Sequence, residues 1–177
     1  LLIFLLIVSI VNNISSKSVI ESRVENLEMP STLHMIRNDI DKQLTVPITV
    51  SKMIVEDIFL KNWLLNGEDE SQRSKVIEYL NEYKKNSGAI TTFYISKKTL
   101  NYFTADGLAK TLDRSKDRDQ WFFTLVASSE PYSVDTAVDN VTGVLTVFIN
   151  YQVKSGGNVI GVGGIGLSLK DVSQMVN

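Results

Sequence analysis

The chain has 177 residues, with 18 Lys+Arg against 20 Asp+Glu and a formal net charge of −2. That length fits one domain or little more. A hydrophobic fraction of 44% with 21% charged residues excludes disorder and low-complexity repeats. Balanced charge lacks the basic excess of a nucleic-acid binder. The absence of cysteine and the single histidine remove disulfides, thiolate nucleophiles, Cys-ligated zinc and paired-histidine metal sites. A chain so poor in catalytic side chains is not expected to be an enzyme by itself, and neither a cofactor nor a metal is expected.

In chain order, residues 1–11 read LLIFLLIVSIV, apolar except for Ser9. As a helix they would rise only ~16 Å, about half of a bilayer's hydrocarbon core. They lack the basic leader of a signal peptide. The expectation is the end of a transmembrane helix, leaving the membrane at Asn12-Asn13. From Lys17 to Leu65 apolar residues recur at helical spacing, among them Leu33, Ile36, Ile40, Leu44, Met53, Ile58 and Leu64. This predicts one long helix, kinked near Gln43-Leu44 by Pro47 and stopped at Asn66-Gly67. A second helix follows, capped by Asp69 or Ser71, with Val76, Ile77, Leu80 and Tyr83 as its stripe and Gly88 as its stop.

After Gly88 the period falls to two. Strands are predicted over residues 89–96 and 100–104, 132–136, 144–153 and 159–169. Residues 108–117 read as irregular, and Arg118 to Ala127 as a short helix carrying Trp121 and Phe122. Within the fourth strand, Leu145, Val147, Ile149, Tyr151 and Val153 share one face. Thr146, Phe148, Asn150 and Gln152 share the other. Ser155-Gly156-Gly157-Asn158 reads as a hairpin loop. Short loops between strands imply antiparallel pairing. Helices gathered early in the chain and packed on one sheet imply an α+β domain.

Two motifs carry competing readings. Gly161-Val162-Gly163-Gly164-Ile165-Gly166 is a literal G-x-G-x-x-G, which in a dinucleotide-binding unit would open a helix. Here it lies within a strand, where glycines let a helix or ligand approach the sheet closely. Asp113, Asp117 and Asp119 alternate as calcium ligands can, but they are interleaved with Arg114, Lys116 and Arg118 and lack the calcium-loop glycine and glutamate. A self-paired charge cluster is the expectation. The run Asp117-Arg118-Asp119-Gln120-Trp121-Phe122-Phe123, followed by Pro131-Tyr132-Ser133-Val134-Asp135, supplies aromatic walls and charges for a small-molecule pocket.

The membrane-exit helix, the Gly88–Ser96 strand, Tyr102…Asp106-Gly107, the Asp117–Phe122 run, Pro131-Tyr132, Phe148-Ile149-Asn150-Tyr151 and the Ile160–Leu167 run together resemble the Cache family of bacterial extracytoplasmic sensor domains, covering the chain from about Lys17 onward. Among them the sequence looks most like the sensors of membrane-bound diguanylate cyclases with a GGDEF output domain; histidine kinases and chemoreceptors use similar modules. The resemblance implies a long N-terminal helix packed on a PAS-like antiparallel sheet of about five strands. It implies the membrane-distal module of a pair. Residues 1–11 are then a transmembrane remnant, 12–169 the sensor module and 170–177 the start of a connecting helix. It further implies a periplasmic or extracellular domain of an inner-membrane receptor, a membrane contact through the N-terminal helix, a homodimer, a small-molecule ligand and no nucleic acid.

A ligand is expected between the sheet and the Asp106–Asp135 crossover. Trp121, Phe123 and Tyr132 form its walls, Arg118, Asp119 and Asp135 supply charge, and Tyr94 and Asn150 face it from the sheet. Family members that bind amino acids carry Arg two residues before the Trp and Asp on the last strand. This sequence has Asp119 and Gly166 there, so the amine-and-carboxylate clamp is incomplete. The competing expectations are a dimerisation or partner-binding spacer, which a filled space beneath the crossover would favour, and a nucleotide enzyme, which a β-hairpin through Gly161–Gly166 would eliminate.

Overall fold

A computed structural model describes residues 44–139 and 143–171. The membrane remnant, the helix before residue 44, the kink at Gln43 and the connecting helix from residue 172 lie outside the described residues. Residues 44–56 form a helix (α1), which breaks at Asp57 before α2 begins (Ile58–Leu65). The uninterrupted helix to Leu65 expected from the apolar spacing is therefore two helices. Asp57 adopts a non-helical backbone, and its carboxylate accepts the Leu60 N–H at 3.0 Å, capping α2. Helix α3 (Arg73–Ser87) follows a short 3-10 turn begun by Asp69 and ends at Gly88, whose φ of 68° supplies the left-handed stop.

Six strands follow: β1 (Thr91–Ser96), β2 (Asn101–Thr104), β3 (Gly107–Thr111), β4 (Tyr132–Val138), β5 (Leu145–Ser155) and β6 (Asn158–Ser168). They form one antiparallel sheet in the order β3-β2-β1-β6-β5-β4. The α+β class stands, with six strands where about five were expected. The additional one is β3, within the stretch that reads as irregular. Its residues are mostly exposed, so it shows no apolar alternation. The crossover from β3 to β4 contains a 3-10 turn (Asp117–Asp119) and α4 (Gln120–Ala127).

The sheet is covered on both faces. On one, Ile54, Val55, Leu60, Trp63, Leu64, Val76 and Leu80 of α1–α3 pack with Tyr94, Phe103, Val147, Ile149, Val153, Ile165 and Leu167. Trp63 donates its indole N–H to the Asp69 carbonyl at 2.9 Å and meets Phe103 edge-on. On the other, Phe122 and Leu125 of α4 pack with Phe93, Ile95, Leu112 and Val162. Strand β1 is buried along its whole length for this reason.

The glycine-rich run lies in β6, paired with β1 on one side and β5 on the other, and β6 forms a hairpin with β5. A dinucleotide fold, which needs a helix opening there, is eliminated. Gly161 and Gly163 face the helices: a Cβ would meet Leu64 and the Ile95 carbonyl at the first, and Val55 and the Tyr94 ring at the second. At Gly164 a Cβ would come within 1.9 Å of the Ile149 carbonyl oxygen. Because that obstacle is backbone, Gly164→Ala is expected to destabilise the domain by about 3 kcal/mol, at the upper end of overpacking costs. Urea unfolding measures this, with Ser115→Ala on the exposed crossover as a near-neutral comparison.

Candidate ligand-binding site

Beneath the crossover, on the face of the sheet opposite α1–α3, lies a cavity of about 510 Å³. This is within the range of small-molecule sites. Thr91 and Phe148 line its floor, where Gly166 carries no side chain. A Cβ at Gly166 would meet Thr91, Thr146 and Phe148 at 2.7–3.1 Å. Tyr102, Trp121 and Phe148 form an aromatic wall around the buried Phe93 ring, with centroid separations from Phe93 of 5.4, 6.3 and 6.3 Å. Burial, and then the charge of Asp139, push the Tyr102 phenol well above its ordinary range, so it stays neutral at physiological pH.

Polar groups come from both sides. Asp135 on β4 and Asn150 on β5 lie on the cavity face, and Asn150 is buried. The Asn150 amide donates to Asp135 Oδ2 at 2.8 Å, and Ser133 Oγ donates to the same oxygen at 2.7 Å. Asp117 and Arg118 line the cavity from the 3-10 turn, Lys110 from β3 and Asp139 from the end of β4.

Of the eight residues expected at the site, Trp121, Arg118, Asp135 and Asn150 line this cavity, and four others lie elsewhere. Tyr94 is on the helix face, fully buried beside Gly163 and Val55. A one-residue offset along β1 puts Phe93 on the cavity side in its place. Tyr132 is also on the helix face, stacked on Tyr151 at 4.8 Å, because it pairs directly with Tyr151 in the β4–β5 ladder. Phe123 follows the cavity-lining Trp121 by two residues and therefore sits on another side of α4. It packs edge-on to Phe122, and the Arg114 guanidinium lies 4.3 Å from its ring centroid.

Asp119 is buried, 1% exposed, and does not line the cavity. Its Oδ1 accepts from Lys110 Nζ at 2.6 Å and its Oδ2 from the Asp113 N–H at 3.0 Å. It thus fastens the start of α4 to strand β3. The other end of α4 is held by Gln152, whose amide donates to the Leu125 carbonyl at 2.7 Å and the Ser128 carbonyl at 3.0 Å.

Tyr102, Lys110, Phe148, Asp117, Asp139 and Thr91 were not among the expected site residues. Phe148 was legible, since it shares its face of β5 with Asn150. Lys110 was not, because β3 shows no strand pattern. Among the described residues no group of three or more His, Asp or Glu side chains is arranged to hold a metal ion, and Asp113 turns to Ser115, accepting from its N–H and Oγ.

No protein-family model matches the sequence. The fold is similar to solved sensor domains. The V. cholerae histidine kinase DctB sensor domain superposes with a TM-score of 0.68 at 19% identity, over 89% of this chain and 61% of that one. The ligand-binding domain of the Pseudomonas fluorescens chemoreceptor CtaA, solved with L-alanine, gives 0.61 at 19% identity, over 84% and 61%. The sensory domain of the Campylobacter jejuni chemoreceptor Tlp3, solved with isoleucine, gives 0.56 at 15%, over 91% and 64%. The chain therefore has the fold of these sensor domains and spans about three fifths of their length.

The Asp119 arrangement has a pH signature. Burial pushes its carboxyl up, but the Lys110 and Asp113 hydrogen bonds and the Lys110 and Arg118 charges outweigh this and hold it below the ordinary range. A depressed folded pKa stabilises above the unfolded value, about 3.9, and the stabilisation is lost as pH falls through the folded value. Asp119→Asn is expected to cost about 2 kcal/mol at pH 7. The gap between wild type and variant, measured by urea unfolding, is expected to stay level from pH 7 to 5 and to narrow below pH 4.

Proposed function

We propose that this chain is the small-molecule sensing module of an extracytoplasmic receptor and performs no catalysis. The observation that carries the reading is the cavity beneath the crossover: a space of about 510 Å³ with aromatic walls and convergent polar groups, on the sheet face opposite α1–α3. A spacer domain would not need it. The likeness to ligand-binding sensor domains of a histidine kinase and of chemoreceptors supports the same reading.

A ligand seated there touches the crossover on one side and β5 and β6 on the other. Gly166 at the cavity floor and Gly163 against Val55 of α1 are three residues apart on β6, about 10 Å. Ligand and signalling helix thus share one rigid strand. Binding shifts the helix only to the extent that the ligand has unequal affinity for its two arrangements. We assign the output to a cytoplasmic domain reached through the membrane by residues 1–11, a diguanylate cyclase on the sequence resemblance. Among the described residues no helix is long and apolar enough to cross a membrane. The boundaries 1–11, 12–169 and 170–177, a second module after residue 177 and a periplasmic location belong to the same proposal. So does a homodimer along α1, where Val46 and Met53, seven residues apart, are 68% and 53% exposed.

Calorimetry of the intact chain against a metabolite library is the direct test. At least one compound is expected to bind, and Trp121→Ala and Asp135→Ala are each expected to weaken it tenfold or more. Retention of full affinity in both variants would overturn the site, and a library without a single binder would overturn the sensing role.

A further inference from the structure

Resting on the sensing role proposed above, we infer that the cavity selects an organic ammonium that carries no carboxylate, because Asp135 offers it a carboxylate with one oxygen open, while the protein's own Asp119 already neutralises Lys110, one of the two cations in the lining.

Two carboxylates are treated differently by the fold. Asp119 is buried and saturated: Lys110 Nζ at 2.6 Å on one oxygen and a backbone N–H at 3.0 Å on the other. Lys110 lines the cavity, but its charge is neutralised from behind, and its ammonium also lies 5.7 Å from the Tyr102 ring centroid. Asp135 lines the same cavity in the opposite condition. Both of its donors, Asn150 and Ser133, are neutral, and both use Oδ2. Among the described residues no cation lies within 4 Å of it. A carboxylate oriented by neutral donors, with one oxygen open, is an acceptor for an ammonium.

The rest of the lining has the same polarity. Asp117 adds a carboxylate, and the exposed Arg118 is the cation left beside Lys110. Tyr102, Trp121 and Phe148 line the cavity, and an aromatic lining favours an ammonium over a carboxylate. An α-amino acid would bring its carboxylate to a wall already rich in them. The corresponding amine brings only the group that the wall accepts.

Titration of the intact chain with matched pairs tests this: tyramine against tyrosine, phenethylamine against phenylalanine, agmatine against arginine, putrescine against ornithine. At least one amine is expected to bind tenfold or more tightly than its amino acid. Asp135→Asn is expected to weaken that amine at least tenfold. Asp119→Asn, by releasing Lys110, is expected to narrow the amine-to-amino-acid ratio. The wild-type ratio needs no variant, so the test survives poor folding of Asp119→Asn. An amino acid binding as tightly as its amine, held by Arg118 or Lys110, would overturn the inference, as would amine affinity unchanged in Asp135→Asn. If none of the four amines binds while a library compound does, the ammonium preference fails and the sensing role stands. If nothing in either set binds, both fail.

Discussion

The structure depends on how little side-chain volume strand β6 carries. It is a central strand, with β1 on one edge, β5 on the other, helices against one face and the crossover against the opposite face. Four glycines in six residues let all four neighbours come close. Gly161 and Gly163 admit Leu64, Val55 and the Tyr94 ring from the helix side. Gly164 and Gly166 admit Phe93, Thr91 and Phe148 on the cavity side. Side chains on the cavity-facing pair would fill the floor on which a ligand rests, and on the helix-facing pair they would lift α1 and α2 off the sheet. The same vacancies therefore make the cavity and seat the helices that would report on it.

The crossover that roofs the cavity is fastened at two places by polar contacts, with hydrophobic packing of Phe122 and Leu125 between them. At one end the buried Asp119 ties Lys110 to the Asp113 backbone, and at the other Gln152 ties the sheet to the last turn of α4. Breaking a buried charged contact costs more than breaking an exposed one. Apart from Lys110, the roof is therefore set by residues that do not face the ligand. The residues that do face it, Trp121, Asp135 and Asn150, are positioned by that frame and remain available for recognition.

Much of this was legible in the sequence, and the failures have a common cause. Helix α3 carried its stripe and stop in order, whereas Asp69, expected to cap it, caps the 3-10 turn before it, and α3 itself starts after Gln72 with no side-chain cap. The β5–β6 hairpin was visible because β5 alternates between its two faces. Strand β1 misled because both of its faces are buried: six consecutive buried residues give no period, so Tyr94 was placed where Phe93 lies. Tyr132 misled differently, since its edge strand is largely exposed on both faces and only the pairing with Tyr151 fixes its side. Asp119 sat in the run that does line the cavity. Only the fold shows that a carboxylate next to Arg118 turns inward to Lys110, a residue of the strand without a strand pattern. Asp135 and Asn150, two strand partners apart in register, were found separately and are brought together by the ladder.

The central claim is that recognition occurs on the crossover face and not on the helix face. The two tryptophans of the chain report on the two faces separately, Trp63 from the helix core and Trp121 from the cavity wall. With Trp63→Phe leaving Trp121 as the sole indole, titration with a compound found by calorimetry is expected to shift the emission of Trp121 with the calorimetric affinity. With Trp121→Phe, the Trp63 emission is expected to change less than that of Trp121 at ligand concentrations raised to saturate the weakened site, because Trp63 senses only the helix movement. A saturating change at Trp63 together with a silent Trp121 would contradict the account.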